Sequence, residues 1–243
     1  MRRIQSLMLS GVIATLGAAT GIVHAQNVGA GDGRPFHALV LTTGMGTMSV
    51  DALNARMTPA QFAPLSNDAV SYGASGYYAV GRALLGAEAS RATFGEEGLN
   101  NGRTDAMSTM QGMVTAAYAI ASTRHLTVYP QFGVGLGRVE VTLRDRASGG
   151  TSASQPTFDE VAQSPGTESR VTGRHLLYAF GAGADYLVTR GAGSSGVVMG
   201  VRAGMLTSPN RATWTRNGQS VLAGPDAGAG GPYVRVVVGL GGR

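Results

Sequence analysis

The chain has 243 residues, no cysteine, and a formal net charge of +5 from 19 basic against 14 acidic residues. Without cysteine it has no disulfide, no thiol nucleophile and no cysteine-held metal. Its basic residues are all arginine, a pattern that reads as base-composition bias, and they are scattered, which excludes the clustered basic face that nucleic acid needs.

The amino terminus comes first. Met1-Arg2-Arg3 precedes a largely apolar stretch, Ile4 to Val23, broken by Gln5, Ser6 and Ser10. Val23-His24-Ala25 then has the small-x-small form of a cleavage site, so a secretory signal peptide is expected over 1–25, cut between Ala25 and Gln26. The competing reading is a retained anchor, because the run is nearly long enough to span a bilayer. A short extension, 26–35, would lead into one domain over 36–243.

Within that domain the spacing predicts eight strands, at 36–50, 69–79, 84–94, 105–120, 125–143, 175–188, 196–209 and 232–241. Their connections alternate long and short, as in a membrane barrel with short periplasmic turns and longer outer loops. A helix over 52–62 or 105–122 competes, since alanine-rich runs such as Thr115 to Ala121 favour helix. Glycine density weighs against a helical bundle, because each interior glycine costs about 0.5–1 kcal/mol relative to alanine.

Alternation supports the strands. Leu176, Tyr178, Phe180, Ala182, Ala184, Tyr186 and Val188 share one face, opposite Leu177, Ala179, Gly181, Gly183, Asp185 and Leu187. Tyr178 and Tyr186, near the two ends, suit the aromatic girdles of a membrane barrel. Leu126, Val128, Pro130, Phe132, Val134 and Leu136 form a similar face. The apolar residues then switch parity to Val139, Val141 and Leu143, which predicts a bulge near Gly137-Arg138.

Three features together resemble the small eight-stranded outer-membrane β-barrels of the outer membrane protein A and X type. They are the glycine-alternating strands Phe132-Gly-Val-Gly-Leu-Gly and Phe180-Gly-Ala-Gly-Ala-Asp-Tyr, the hairpin from Gly76 to Glu88, and a final strand at the carboxyl end. The resemblance implies an all-β, antiparallel, up-and-down transmembrane barrel of eight strands. It also implies contact with outer-membrane lipid and lipopolysaccharide, and recognition by the barrel-insertion machinery. The ending, Val238-Gly-Leu-Gly-Gly-Arg243, departs from the terminal aromatic residue that such barrels present to that machinery.

Parity turns Glu88, Asp185, Arg202 and Arg235 inward, with Gln111 and Gln131 nearby. An eight-stranded barrel is filled by side chains, so these charges are expected to pair as an internal network. A gated narrow pore is the sharper alternative. Arg91, opposite in parity to Glu88, is placed at the outer rim. Trp214, between Thr213 and Thr215, is expected to anchor at the outer interface, with contact to an extracellular partner as the other option.

Catalytic motifs are scarce. His37, His125 and His175 sit near strand ends, and Ser122 with His125 reads as a polar turn. Gly133, Gly135 and Gly137 lie within a strand rather than before a helix, so no dinucleotide loop is expected. Asp159-Glu160 reads as part of a solvated loop. The expectation is a barrel without enzymatic activity, cofactor or metal, whose loops serve a structural or surface-interaction role with an unknown partner. The rival is a soluble periplasmic β-barrel holding a small apolar ligand.

Overall fold

The computed structural model describes residues 36–94, 97–98, 103–123, 125–145, 155–189, 195–209, 211–226 and 230–242. The chain divides into two units, Met1–Gly33 and Arg34–Arg243, and the described residues all belong to the second. The expected cleavage site at Ala25 and Gln26 lies outside them.

Eight long strands make the fold: β1 (Phe36–Thr47), β2 (Asp68–Val80), β3 (Ala83–Thr93), β4 (Arg103–Tyr118), β5 (Leu126–Asp145), β6 (Ser169–Thr189), β7 (Ser195–Thr207) and β8 (Gly231–Gly242). Each is antiparallel to its sequence neighbours, and β8 pairs with β1 to close the cylinder. The partners of Phe36 run through Ala79, Leu84, Ala117, Gln131, Gly181, Gly204 and Tyr233, and return to β1 at Gly46. One circuit therefore climbs ten residues along β1, a stagger that goes with strands tilted by about 35–45°.

Closure without a free edge is one half of what a bilayer demands of a sheet. The other half is the outward face. Leu39, Leu41, Val114, Phe132, Leu136, Phe180, Val201, Met205, Val236 and Leu240 all stand exposed, with Leu41, Leu136 and Leu240 each at 70%. A continuous apolar belt of this kind matches hydrocarbon and is unfavourable in water. Tyr78, Tyr118 and Tyr186 rim it on the short-turn side, and Tyr72 and Tyr178 lie towards the loop side. The eight steps from Tyr178 to Tyr186 cover about 20 Å along the axis at about 3.3 Å per residue and this tilt. That is close to the roughly 25 Å of a bacterial barrel's apolar band.

Two strands outrun the belt furthest. β5 and β6 have 20 and 21 residues, whereas about 9–11 suffice to span. Their excess projects on the long-loop side and supports a folded cap. The cap contains α1 (Asp51–Met57), a 3-10 turn at Thr58–Ala60, α2 (Phe158–Gln163) and a small hairpin of Thr213–Arg216 with Gln219–Ser220. Leu53, Met57 and Ala60 point one way along the first helical stretch and are buried. They meet Phe158, Val161, Trp214, Val221 and the inward residues Val139, Val141, Leu143 and Val171.

The structure corrects three sequence expectations. β5 has no bulge at Gly137-Arg138: its partners run one for one from Ala117↔Gln131 to Arg103↔Asp145, and from Leu126↔Tyr186 to Leu143↔Ser169. Facing never changes along the strand; the surroundings do. Below Gly137 the outside is hydrocarbon, and above it the outside is wet while the inside is the apolar cap. Accordingly, Arg138, Glu140, Thr142 and Arg144 face outward there, and Val139, Val141 and Leu143 are fully buried within. Residues 158–163 are a helix with buried Phe158, Val161 and Ala162, so Asp159-Glu160 is not part of a featureless solvated loop. There Glu160 completes a capping box with Thr157, and Asp159 pairs with Arg56 on α1. The stretch 105–122 is a strand for most of its length, as expected over 105–120, and of the two competing helical readings only the one within 52–62 is met. Trp214 is the third correction, described below.

Candidate functional site: the charged lumen and its cap

Inward parity places four ionisable side chains at mid-barrel, each from a different strand. Glu88 comes from β3, Asp185 from β6, Arg202 from β7 and Arg235 from β8, and all four are buried. Arg235 Nη1 donates to Glu88 Oε1, and Arg202 Nη1 lies 3.7 Å from Glu88 Oε2. Arg202 Nη2 is 4.0 Å from Asp185 Oδ2. The chain of charge is therefore Arg235, Glu88, Arg202, Asp185, with alternating signs and no net charge.

Neutral groups supply further partners, though Asp185 Oδ1, Arg202 Nε and Arg235 Nε are buried without a hydrogen bond. Asp185 Oδ2 accepts from the hydroxyls of Tyr77 at 2.6 Å and Tyr129 at 2.7 Å. Arg202 Nη1 donates to Ser75 Oγ at 2.8 Å, and its guanidinium lies 5.5 Å from the centre of the Tyr77 ring. Arg235 lies over the Tyr233 ring at 4.6 Å. Gln131 donates to the Tyr233 hydroxyl at 3.1 Å, and Gln111 donates to Ser90 at 2.7 Å. Charges removed from water need this density of partners, because each carries a desolvation cost of several kcal/mol.

Sequence reading missed Ser75, Tyr77 and Tyr129 in this cluster. A signal was available for Tyr77: Tyr77 and Tyr78 are consecutive in a strand, so one of them must point inward. Space for the aromatic rings comes from small residues. A Cβ at Gly183 would meet the Tyr129 ring at 2.6 Å.

Apolar layers lie on both sides of the network. On the short-turn side Ala79, Leu84, Ala119 and Tyr129 pack with Phe36 and Tyr77, beside a second group of Ala38, Val40, Leu187, Val198 and Val237. On the loop side stands the cap. Cavities remain next to the network, one of about 20 Å³ beside Ser75, Tyr77, Tyr129 and Arg202, another of about 40 Å³ below the cap beside Phe94, Gln111 and Tyr233. Such volumes suit one or two waters. Pockets that take small organic ligands measure about 300–1,000 Å³.

Other expected residues are placed as follows. Tyr178 and Tyr186 face outward on β6: Tyr178 stacks on Phe132 at 6.1 Å, and Tyr186 on His125 at 5.8 Å. Arg91 faces outward, opposite in direction to Glu88. His125 Nδ1 sits 3.0 Å from the Leu187 carbonyl oxygen, in a short connection with Ser122. His37 is exposed on β1, whereas His175 is buried on β6. Trp214 does not anchor at an interface. It is 2% exposed, meets Phe158 edge-on at 5.5 Å and donates its indole N–H to the Pro225 carbonyl at 2.8 Å. Gly173 and Gly224 form its slot, where an added Cβ would touch the indole ring at 3.2 and 2.0 Å respectively. The reason for the miss is that Thr213–Arg216 pairs with the projecting part of β6, so alternation turns Trp214 into the cap.

Among the described residues no group of three or more His, Asp and Glu side chains is arranged to hold a metal. No protein-family model matches the chain, and no curated protein sequence matches it. Among the solved structures similar to it in fold are two from Neisseria. One is Neisserial surface protein A, NspA, with 12% identity, a TM-score of 0.40, and coverage of 85% of this chain and 96% of that one. The other is the translocator domain of the autotransporter NalP from Neisseria meningitidis, with 11% identity, a TM-score of 0.30, and coverage of 86% and 88%. At identities and scores this low the likeness carries no functional information.

Proposed function

We propose that this protein is an integral outer-membrane β-barrel, closed to ions, that holds a rigid folded cap at the cell surface for structural or surface interaction. The observation that supports this reading best is the inversion of polarity through the wall. Exposed apolar side chains ring the outside, while Glu88, Asp185, Arg202 and Arg235 pair within. A soluble ligand-binding barrel has the opposite arrangement, with an apolar hollow and a polar exterior.

Closure follows from the layers above and below the network. The narrow-pore reading needs a continuous polar path, whereas Val139, Val141, Leu143 and Phe158 are fully buried at the loop end. The test is refolding of the mature chain into planar bilayers and vesicles. Heat-dependent gel mobility, flotation with the vesicles and no discrete conductance are expected. Water solubility without detergent would overturn the membrane reading, and regular single-channel steps would overturn the closed one.

A further inference from the structure

Arg138 on β5 and Arg174 on β6 are direct cross-strand partners, both pointing out of the barrel. Like charges directly opposite one another destabilise a sheet. Along the same hydrogen-bonded row lie Met110 on β4 and then Arg91 on β3, which also faces outward. One step towards the short turns, the outward pair is Leu136 and Leu176, so this row sits at the upper margin of the apolar belt. Tyr72, opposite Arg91, faces outward beside it.

Among the described residues, the acids beside β5 and β6 do not balance the arginines of these two strands. Above the belt the outer wall of β5 and β6 presents Arg138, Arg144, Arg170 and Arg174 against Glu140 and Glu168. Glu140 contacts Arg138 at 3.1 Å and Arg170 at 3.4 Å, and Glu168 contacts Arg144 at 3.1 Å and Arg170 at 3.7 Å. Both glutamates are thus engaged. Arg174 is exposed and makes no hydrogen bond or ion pair among the described residues.

We propose that the Arg138–Arg174 pair, with Arg91 beside it, is a docking site for the phosphate head group of an outer-leaflet lipid. The inference rests on the membrane reading above. An anion between two guanidinium groups removes their repulsion and gains charge-assisted hydrogen bonds, which arginine forms with phosphate through paired N–H groups. Position selects a lipid over a free ion. The pair lies where acyl chains end, so a molecule whose chains lie against Leu136 and Leu176 would bring its phosphate to this height.

The experiment uses the full mature chain in phosphatidylcholine vesicles carrying either a phosphorylated acylated glucosamine disaccharide or the same lipid without phosphate. Lipid retained after purification is counted by mass spectrometry, and inorganic phosphate is tried as competitor. The wild type is expected to retain the phosphorylated form selectively. Arg138→Ala with Arg174→Ala is expected to weaken retention by about tenfold or more, while Arg82→Ala, in the turn at the far side of the belt, leaves it unchanged. Should the double variant fail to fold, Arg174→Gln alone removes an exposed side chain and is expected to lower retention several-fold. Equal retention of both lipids, full displacement by inorganic phosphate at millimolar concentration, or no effect of the arginine variants would overturn the proposal with the membrane reading intact. Failure of the wild type to enter vesicles would overturn both.

Discussion

Glu88 and Arg235 meet inside the barrel from strands that are not neighbours, with β2 and β1 between them in the sheet. Arg202 approaches the second oxygen of the same carboxylate at 3.7 Å, so a single anion serves two buried cations. Removing that anion leaves Arg235 without its carboxylate and Arg202 with Asp185 alone, at 4.0 Å. Glu88→Gln is expected to destabilise the barrel by about 3–5 kcal/mol, the cost of leaving a buried charge unpaired. Glu88→Met combined with Arg235→Met should cost less than the single change, since Arg202 keeps Asp185. Urea titration in vesicles, read by heat-dependent gel mobility, checks both, and an E88Q midpoint equal to wild type would refute the network's stabilising role.

Asp185 ties this network to the apolar layer on the short-turn side through the Tyr77 and Tyr129 hydroxyls. Hydrogen bonds to a charged group contribute about 1.5–3 kcal/mol. Tyr129→Phe should therefore lower stability by about that amount in wild type, but by much less in an Asp185→Asn background. A double-mutant cycle measures the coupling. Additive losses would mean that the two groups act independently.

Gly183 faces the Tyr129 ring, and an added methyl there would come within 2.6 Å of it. Gly183→Ala is expected to cost about 1–3 kcal/mol, as overpacking does, by pushing Tyr129 away from Asp185. Gly112 faces outward with nothing near its Cβ position. Gly112→Ala should be close to neutral in the same unfolding assay, so a comparable loss at both sites would contradict the packing argument.

The two halves of β5 make opposite predictions. Val134→Arg puts a charge on the exposed belt and is expected to cost about 2–4 kcal/mol at mid-bilayer. Leu143→Ala removes a fully buried side chain from the cap and is expected to cost about 2–5 kcal/mol. Had the strand been bulged at Gly137, Leu143 would lie on the lipid side and its truncation would be mild. Unfolding of both variants in vesicles separates these cases.

That strand also explains how far the sequence could be read. Period-two alternation depends only on backbone geometry, so it located all eight strands and turned Glu88, Asp185, Arg202 and Arg235 inward with the correct parity. What alternation does not encode is the medium on each side. From Leu126 to Leu136 the apolar face meets hydrocarbon, and from Val139 to Leu143 it meets protein, with no change in the backbone between them. A parity switch at a membrane margin and a bulge therefore look identical in sequence. The cap was hidden for a related reason. Its helices are short, at seven and six residues, and bury only a few side chains each, so their periodicity is too brief to register.

Trp214 gives the test of the cap as a unit. Its indole fills a slot between Gly173 and Gly224, meets Phe158 of α2 edge-on and is tied to Pro225, so it links the small hairpin, the second helix and the projecting wall of β6. Truncating a buried tryptophan costs about 3–5 kcal/mol. Here the loss should stay local, because the belt and the lumen network make no use of this side chain. Trp214→Ala is therefore expected to leave heat-dependent gel mobility in place while exposing residues 155–168 and 211–226 to protease added outside the vesicles. If those connections stay resistant in the variant, Trp214 does not hold the cap together. If the whole barrel unfolds instead, the cap and the membrane-facing wall form one cooperative unit.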